Sequence, residues 1–217
     1  MTFQKHPSVE LNRLFSRHPW QGQNPALAQV VILSSDANYA PEISSHSFFQ
    51  YILEYQQDGV GFWKKYGVHH PFLLPNFPFN KTQHGRPYHK NISKLGLDTS
   101  YADKISFLEL LDIPTIGNKS VNRKEFYSLI SAQHLTFIDD LIRNDSGTLF
   151  LVPGGVFNDM LYLKKIYPVF PWLTSSDNEY LINSNRIIKT YHFSSSHIHR
   201  QLAHIQATIS TWIKTEP

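Results

Sequence analysis

The hydrophobic residues of this chain fall into short continuous runs separated by longer stretches with helical spacing. The run Ala28-Gln-Val-Val-Ile-Leu-Ser-Ser35 is rich in β-branched residues and ends in two serines, which predicts a buried parallel strand over 28–35. Similar runs predict strands over 104–110, 148–152 and 186–191. Each run is followed by a stretch with helical spacing, so four strands alternate with helices along the sequence.

Two of the intervening helices are predicted from apolar spacing and from capping residues. A helix is predicted over 43–55, where apolar residues recur at helical intervals. Asn122, with Glu125 three residues later, resembles a capping box that opens a helix running to 142. Between these helices, the stretch 67–86 contains several prolines among aromatic residues, and it is predicted to be a long functional loop.

This alternation predicts one domain over 1–217, built as a three-layer α/β/α fold on a four-stranded parallel sheet. Two further helices complete it, one after the turn Pro153-Gly154-Gly155 and one carrying Ile198 to Ile213. In such sheets the ligand lies at the carboxyl ends of the strands. The loops expected to carry function are therefore 34–41, 110–118, 153–157 and 191–199.

Composition narrows the chemistry that this fold can perform. The 217 residues include no cysteine, which excludes disulfides, a thiolate nucleophile and cysteine-ligated zinc or iron–sulfur centres. A net charge of +3, twelve histidines and a pI near 9.0 are compatible with a polyanionic partner. No run of eighteen apolar residues occurs, so we expect a cytoplasmic protein without a membrane partner.

The first and last predicted strands end in loops that carry polar residues suited to catalysis. These loops are Ser35-Asp36-Ala37-Asn38-Tyr39 and His192-Phe193-Ser194-Ser195-Ser196. The pair resembles the uracil-DNA glycosylase superfamily, whose first strand ends in a Gly-Gln-Asp-Pro-Tyr type loop and whose last ends in a His-Pro-Ser type loop. The resemblance covers most of the chain and implies a monomeric DNA glycosylase that needs no cofactor and no metal.

Breaking an N-glycosidic bond builds positive charge on the sugar and negative charge on the departing base. By resemblance, Asp36 would position or deprotonate the attacking water, and His192 would hydrogen-bond the base anion. Asn38 would either help to hold this water or cap the following helix. Tyr39 or Phe49 would stack on the base or wall its pocket.

Residues around the last loop and the long loop are expected to hold the DNA backbone. The residues predicted to contact DNA are Ser194, Ser195, Ser196, Arg200, Arg86 and Lys90. Ser196 stands where many members of the superfamily carry a leucine wedge that fills the gap left by the extruded base. Ile198, or an aromatic residue of the loop 72–79, is expected to serve as the wedge instead.

Departures from the family pattern indicate a different base. Prolines are missing from both loops, where Ala37, Phe193 and Ser195 stand instead. Uracil-reading members usually carry asparagine on the second strand, and the aligned residue here is Glu109. A carboxylate accepts from an exocyclic amino group such as cytosine N4, and a protonated carboxyl also donates to N3. We therefore expect a cytosine-derived base, including modified forms, in a repair or phage-defence setting.

Structural alternatives stay open for these residues. Asp36 could form an Asx turn, His192 could be a buried histidine bonded to backbone, and Glu109 could pair with a surface lysine. The pairs His69-His70 and His197-Ile198-His199 lack a carboxylate at metal-binding spacing, so solvated or phosphate-facing histidines are expected.

Two other functions also stay open. They are a catalytically silent nucleic-acid-binding module of the same fold and a nucleoside-type hydrolase. Because the strand-end loops that match the family contain no lysine, a monofunctional enzyme that leaves an abasic site is predicted.

Overall fold

The computed structural model describes residues 2–80, 85–144, 147–173 and 186–215. The strands are β1 Gln4–Lys5, β2 Trp20–Gly22, β3 Val30–Ser34, β4 Ala37–Asn38, β5 Ile105–Glu109, β6 Pro114–Ile116, β7 Leu149–Pro153 and β8 Ile187–Thr190. The α-helices are α1 Val9–Arg17, α2 Phe49–Gln57, α3 Gly59–Tyr66, α4 Arg86–Ile92, α5 Arg123–Ser128, α6 Ala132–Asn144, α7 Gly154–Leu163 and α8 Leu202–Thr215. The fold is a mixed α/β fold.

The main sheet has the strand order β2-β5-β3-β7-β8. The four predicted strands are confirmed as β3, β5, β7 and β8, and neighbours among them are parallel. The predicted number of strands is wrong, because β2 adds a fifth strand antiparallel to β5. Since β2 has only three residues, it shows no alternation that sequence reasoning could detect.

A second, smaller sheet has the order β1-β6-β4 and was not predicted. In it β6 pairs antiparallel with β1 and parallel with β4. Because β4 follows β3 after two residues, the small sheet lies beside the carboxyl end of the central strand of the main sheet.

Alternate residues of β3 pack into different hydrophobic clusters, so the main sheet is buried on both faces. Val31 and Leu33 pack with residues of α6 and α7, whereas Val30 and Ile32 pack with residues of α8. A third cluster surrounds Tyr39 and joins α1, α2 and the loop after α3. All five residues of β3 and of β5 are buried, as expected for central strands.

Two of the predicted helices begin or break differently from the prediction. The residues over 43–55 form a 3₁₀ turn at Ile43–Ser45 followed by α2. The helix predicted over 122–142 is two helices, α5 and α6. The predicted capping box is wrong, because Asn122 makes no side-chain cap and its amide instead donates to the carbonyl of Asn118.

The prediction for α7 is confirmed, whereas those for the last helix and the long loop are corrected by the structure. α7 begins directly after Pro153, as predicted. The last helix starts at Leu202, and the residues before it form a 3₁₀ turn at Ser196–Arg200 that directs Ile198 into the core. The predicted long loop contains a 3₁₀ turn at Pro71–Leu73, and its residues Phe72 and Phe77 are buried in the cluster around Tyr39. Arg86 and Lys90 lie on α4 and not on the loop. Among the described helices, none has the length and apolar character required to cross a membrane.

Candidate active site

A pocket of about 920 Å³ opens at the carboxyl ends of β3 and β5, between the small sheet, α4 and the start of α7. Carboxyl ends of parallel strands meet at one edge of a sheet, which brings together loops that are far apart in sequence. Six predicted site residues line this pocket: Asp36, Asn38, Tyr39, Glu109, His192 and Ser194. The volume is in the range of pockets that bind drug-sized or nucleotide-sized ligands.

Asp36 sits where β3 passes into β4, and its carboxylate is held by side chains of the small sheet. Thr115 Oγ1 donates to Asp36 Oδ2 over 2.7 Å, and Asn38 Nδ2 lies 3.5 Å from the same oxygen. Burial raises the pKa of Asp36, while the bond from Thr115, the charge of Lys119 and the contact with Asn38 oppose this effect. Among the described residues, no backbone amide donates to the carboxylate, so the Asx-turn alternative finds no support in these contacts.

Asn38 does not cap a helix. Its Nδ2 donates to the carbonyl of Gly117 over 2.8 Å and lies 3.3 Å from Thr115 Oγ1. The amide therefore ties β4 to the segment after β6 and keeps the side chain of Asn38 on the pocket wall beside Asp36.

Glu109, the last residue of β5, is 5% exposed and faces the pocket rather than the protein surface. Ser34 Oγ donates to Oε1 over 3.3 Å, and Oε2 has no hydrogen-bond partner in the described structure. Burial raises the pKa of Glu109 to about 8, with a further contribution from the nearby charge of Asp36. The alternative of a surface ion pair for Glu109 is therefore wrong.

Aromatic side chains form one wall of the pocket. Tyr39 and Phe72 meet edge to face at 5.7 Å, and Gln21 Nε2 donates to the Tyr39 hydroxyl over 2.8 Å. Tyr88 of α4 lies across the pocket, with its ring 5.6 Å from that of His192. Phe49 does not line the pocket, because it is buried in the cluster around Tyr39 as part of α2.

Three buried histidines adjoin this wall: His70 and His89 line the pocket themselves, and His69 contacts His89. The rings of His70 and His89 stack at 3.5 Å, and His69 Nε2 lies 3.3 Å from His89 Nδ1. Burial lowers the pKa of His69 to about 3 and lowers those of His70 and His89 well below the usual value. The expectation that His69 and His70 are solvated is therefore wrong, and both stay neutral at physiological pH.

His192 follows β8 and reaches the rim of the pocket, where part of its ring is exposed. Its Nδ1 accepts from the backbone amide of Ser194 over 3.1 Å. Partial desolvation of the ring by the surrounding protein lowers the pKa of His192, and the charge of Lys119 lowers it further. The neutral ring must carry its proton on Nε2, so His192 is a hydrogen-bond donor at the pocket mouth.

Lys119 lines the pocket although sequence analysis placed no lysine in these loops. Its Nζ donates to Ser35 Oγ over 2.6 Å and forms an ion pair with Asp159, a buried residue of α7. Asp159 Oδ1 also accepts from Arg123 at 3.0 Å and from Tyr127 at 2.9 Å. The ammonium of Lys119 is thereby held in place near Asp36 and His192.

Most of the residues predicted to contact DNA lie outside the pocket. Ser195 Oγ accepts from the amide of His197, whereas Ser196, Arg200 and Lys90 are exposed. Arg86 packs its guanidinium 5.2 Å from the centre of the Phe77 ring. Contact of these residues with DNA stays a prediction.

Three of the residues predicted as the wedge are buried, whereas Phe79, the remaining aromatic of the loop 72–79, is half-buried and stays a candidate. Ile198 has no exposed surface, and Phe72 and Phe77 are 2% and 6% exposed. A side chain in the core is not free to insert between bases, so the wedge prediction is wrong for these three residues. The exposed aromatic beside His192 is Tyr191, which also lines a neighbouring cavity of about 670 Å³.

The assembled groups suit acid–base chemistry on a small polar ligand. Asp36 supplies a carboxylate, His192 a neutral donor and Glu109 a carboxyl with an unpaired oxygen, all around one pocket. Within the described ranges, no group of three or more His, Asp or Glu side chains is arranged to hold a metal ion.

Sequence analysis missed three residues from outside the four main strands: Tyr88 and Lys119, which line the pocket, and Thr115, which holds Asp36. Thr115 lies on a three-residue strand, Tyr88 on a seven-residue helix, and Lys119 on a short 3₁₀ turn. None of these elements has a periodic pattern, and only the closeness of Lys119 to the loop 110–118 could have drawn attention to it. Comparisons of this chain with protein-family models, with curated proteins and with solved structures found no match.

Proposed function

We propose that this protein is a monofunctional DNA glycosylase that extrudes one nucleotide, hydrolyses its N-glycosidic bond and leaves an abasic site. One observation carries the proposal: Asp36 and His192, 156 positions apart in the sequence, line the same pocket at the carboxyl edge of the sheet. Cleavage of this bond needs an anion near the sugar and a donor near the base, and these two side chains provide them.

The fold also supports the resemblance to the uracil-DNA glycosylase superfamily. The parallel strands stand in the order β5-β3-β7-β8, and residues of β3 pack alternately toward helices on either side of the main sheet. We propose that these elements form the three-layer α/β/α domain of that superfamily, with β2 as an added edge strand and the small sheet as an added support for Asp36.

In the proposed reaction Asp36 orients the attacking water and takes its proton. Burial raises the pKa of Asp36, and the bond from Thr115 and the nearby ammonium of Lys119 oppose this effect and favour the ionised form that the reaction requires. As the C1′–N bond lengthens, His192 donates from Nε2 to the developing negative charge on the base. Tyr39, Phe72 and Tyr88 provide aromatic surface against which an extruded base would pack.

The proposed base is cytosine-derived. Glu109 offers Oε2, which has no partner, and Oε1, which already accepts from Ser34. A protonated carboxyl pairs one donor and one acceptor with the ring nitrogen and exocyclic amine of cytosine. The pocket, at about 920 Å³, has room for a base that carries a substituent.

The first test is release of free bases from DNA, followed by mass spectrometry. The panel contains uracil, hypoxanthine, cytosine, hydroxymethylcytosine and glucosylated hydroxymethylcytosine. We expect the wild type to release one base of the panel faster than the others, and a loss of about 10²–10⁴-fold in rate for Asp36→Asn, because the amide accepts no proton from water. Asp103→Asn is the matched control, since Asp103 lies in an exposed pair with Lys64 and outside the pocket.

Two further readouts separate the alternatives. A DNA enzyme releases counterions on binding, so its affinity falls steeply with salt, whereas a nucleoside-type hydrolase shows no such dependence. Tight, salt-dependent binding without release of any base would indicate the catalytically silent module.

The proposal that the enzyme leaves the DNA strand uncut depends on Lys119, which lines the pocket. This ammonium is engaged by Asp159 and Ser35, so it is not free to attack the sugar as an amine. Covalent trapping of the protein on DNA by borohydride, or strand cleavage without heat or base, would contradict this part of the proposal.

A further inference from the structure

Two carboxyl groups of the pocket, those of Asp36 and Glu109, differ in the hydrogen-bond donors and charges around them. Asp36 accepts from Thr115 over 2.7 Å, contacts Asn38 and lies near the ammonium of Lys119. Glu109 accepts only from Ser34, over the longer distance of 3.3 Å, and its Oε2 is buried with no partner. Donors and cations stabilise a carboxylate, and their absence favours the protonated acid. Burial raises the pKa of both carboxyls, but only Asp36 has several neighbours that favour its ionised form.

The titratable groups that face Glu109 from the surrounding elements do not change the conclusion that this carboxyl is protonated. They are Asp36 after β3, Tyr39 after β4, Tyr55 on α2, Tyr88 on α4 and His134 on α6. Among the described side chains, no lysine or arginine forms an ion pair with Glu109. His134 bonds the backbone carbonyl of Glu109 and not its carboxyl group. The pKa of about 8 keeps Glu109 protonated at neutral pH.

We propose that Glu109 is a catalytic general acid that protonates the departing base, a role that rests on the proposed glycosylase function. The C1′–N bond breaks and its electron pair passes into the base ring. The proton on Glu109 Oε2 moves to a ring nitrogen of the base, and the water oxygen bonds to C1′ while Asp36 takes the water's proton. One proton leaves Glu109 and one arrives at Asp36, so the step is balanced and solvent restores both groups.

This role selects the class of substrate. A uracil ring leaves as a stabilised anion and needs little help from an acid, whereas a ring with an amino group and a basic nitrogen is a poor leaving group until it is protonated. A buried acid next to an ionised Asp36 is the arrangement that the second class requires. We infer that the protein acts on amino-bearing bases, and that removal of the acid affects these bases more than uracil.

Glu109→Gln tests proton transfer separately from hydrogen bonding. The amide keeps one donor and one acceptor in the same place, so binding of the base should be retained, but it transfers no proton. We expect the single-turnover rate of base release to fall by about 10²–10⁴-fold at saturating DNA, with the dissociation constant for DNA changed by less than about threefold. Glu54→Gln is the control, because Glu54 pairs with Lys65 away from the pocket.

The dependence of the base-release rate on pH distinguishes an acid catalyst from a residue with a purely structural role, because a structural role would not change it. The wild-type rate should fall as pH rises through about 8, when Glu109 loses its proton, and this limb should be absent in Glu109→Gln. Ser34→Ala removes the bond that favours ionisation, so it should shift the same limb to higher pH. This second variant keeps the test available if Glu109→Gln folds poorly.

Infrared spectroscopy examines protonation without any activity. A protonated carboxyl band at neutral pH that is missing from Glu109→Gln supports the inference, and the lack of such a band overturns it. An equal loss for uracil and for amino-bearing bases, or an alkaline limb unchanged in the variant, also overturns it while leaving the glycosylase proposal intact. Failure of the wild type to release any base would instead remove the proposed function.

Discussion

At the scale of single residues, Glu109 links the chemistry of the pocket to the stability of the fold. Its pKa is raised from 4.5 to about 8 by burial, so between these values the folded state binds a proton that the unfolded state has lost. The stability that protonated Glu109 contributes is complete below pH 4.5 and is lost as pH rises toward 8. The loss is about 1.4 kcal/mol per pH unit, or roughly 5 kcal/mol over the whole window.

Glu109→Gln should therefore stabilise the protein at alkaline pH relative to the wild type. The amide never ionises, so its free energy of unfolding lacks this dependence on pH. From pH 5 to pH 8 we expect the difference between variant and wild type to shift in favour of the variant by up to about 4 kcal/mol. Urea denaturation at both pH values measures this shift. Glu54→Gln, on a half-buried residue that pairs with Lys65, should show no shift of comparable size. A flat difference for Glu109→Gln would contradict the protonation state assigned here.

The sequence alone was enough to identify several residues of the pocket, but not to decide which other candidates line the pocket and which lie in the core. Asp36, Glu109 and His192 could be found because each ends a predicted strand, and strand ends converge in a parallel sheet. Phe49 could not be excluded from sequence, since an aromatic on an amphipathic helix fits a pocket and a core equally well. Ile198 was misjudged because a 3₁₀ turn, and not an α-helix, sets the direction of its side chain.

At the scale of elements, the small sheet determines the position of Asp36. The segment after β6 turns at Gly117, which has a φ of 89°, and an added Cβ there would lie 2.6 Å from the carbonyl oxygen of Thr2. The carbonyl of Gly117 also accepts from Asn38. Glycine at this position thus permits both the close approach of the N-terminal segment and the bond that orients the loop after β3.

Gly117→Ala should lower both stability and activity. We expect a loss of about 1–3 kcal/mol in the free energy of unfolding and a fall of about 10-fold or more in base release, because the turn must move. Gly67→Ala is a matched control: Gly67 has a φ of 71° but nothing within 4 Å of an added Cβ, so it tests backbone conformation alone. Denaturant titration and the base-release assay of both variants give the comparison. Equal effects on activity would argue against the small sheet as the support for Asp36.

The elements that sequence analysis missed are the short ones. Long buried strands such as β3 and β5 have runs of apolar residues that identify them, whereas β1, β4 and β6 have two or three residues each. Such short strands form because neighbouring segments present matching backbone groups, and this condition is decided by the folded chain. The break between α5 and α6 escaped detection for a related reason, since the apolar stripe continues across it.

At the scale of the whole molecule, buried histidines govern the response to acid, and His69, His70 and His89 form the largest group of them; burial also lowers the pKa values of His6 and His134. Burial lowers the pKa values of His69, His70 and His89 below 6.5, so their contribution to stability is complete above pH 6.5 and is lost as pH falls. Unfolding lets all three bind protons, which costs about 4 kcal/mol of stability per pH unit below that value. Glu109 has the opposite effect on stability between pH 4.5 and 6.5, but it binds only one proton.

The protein should therefore unfold cooperatively on mild acidification, between about pH 3 and 5, because total stabilities of about 5–15 kcal/mol are exhausted within a few pH units. Far-ultraviolet circular dichroism as a function of pH measures the midpoint and the steepness. His69→Phe should make the transition less steep by about one proton, whereas His199→Gln, on an exposed residue, should leave it unchanged. A fold that persists well below pH 3 would show that the histidine cluster is not neutral in the native state.

The small sheet of two- and three-residue strands has one more consequence, which concerns fluctuations of the native state. Short strands open at low free energy, long before the main sheet is disrupted. When β1 and β4 both separate from β6, Thr115 is released and Asp36 loses its closest donor while the main sheet remains paired. Heating should therefore abolish base release at a temperature below that of global unfolding. The stability of the two-residue strands β1 and β4 then limits the temperature range in which the protein is active.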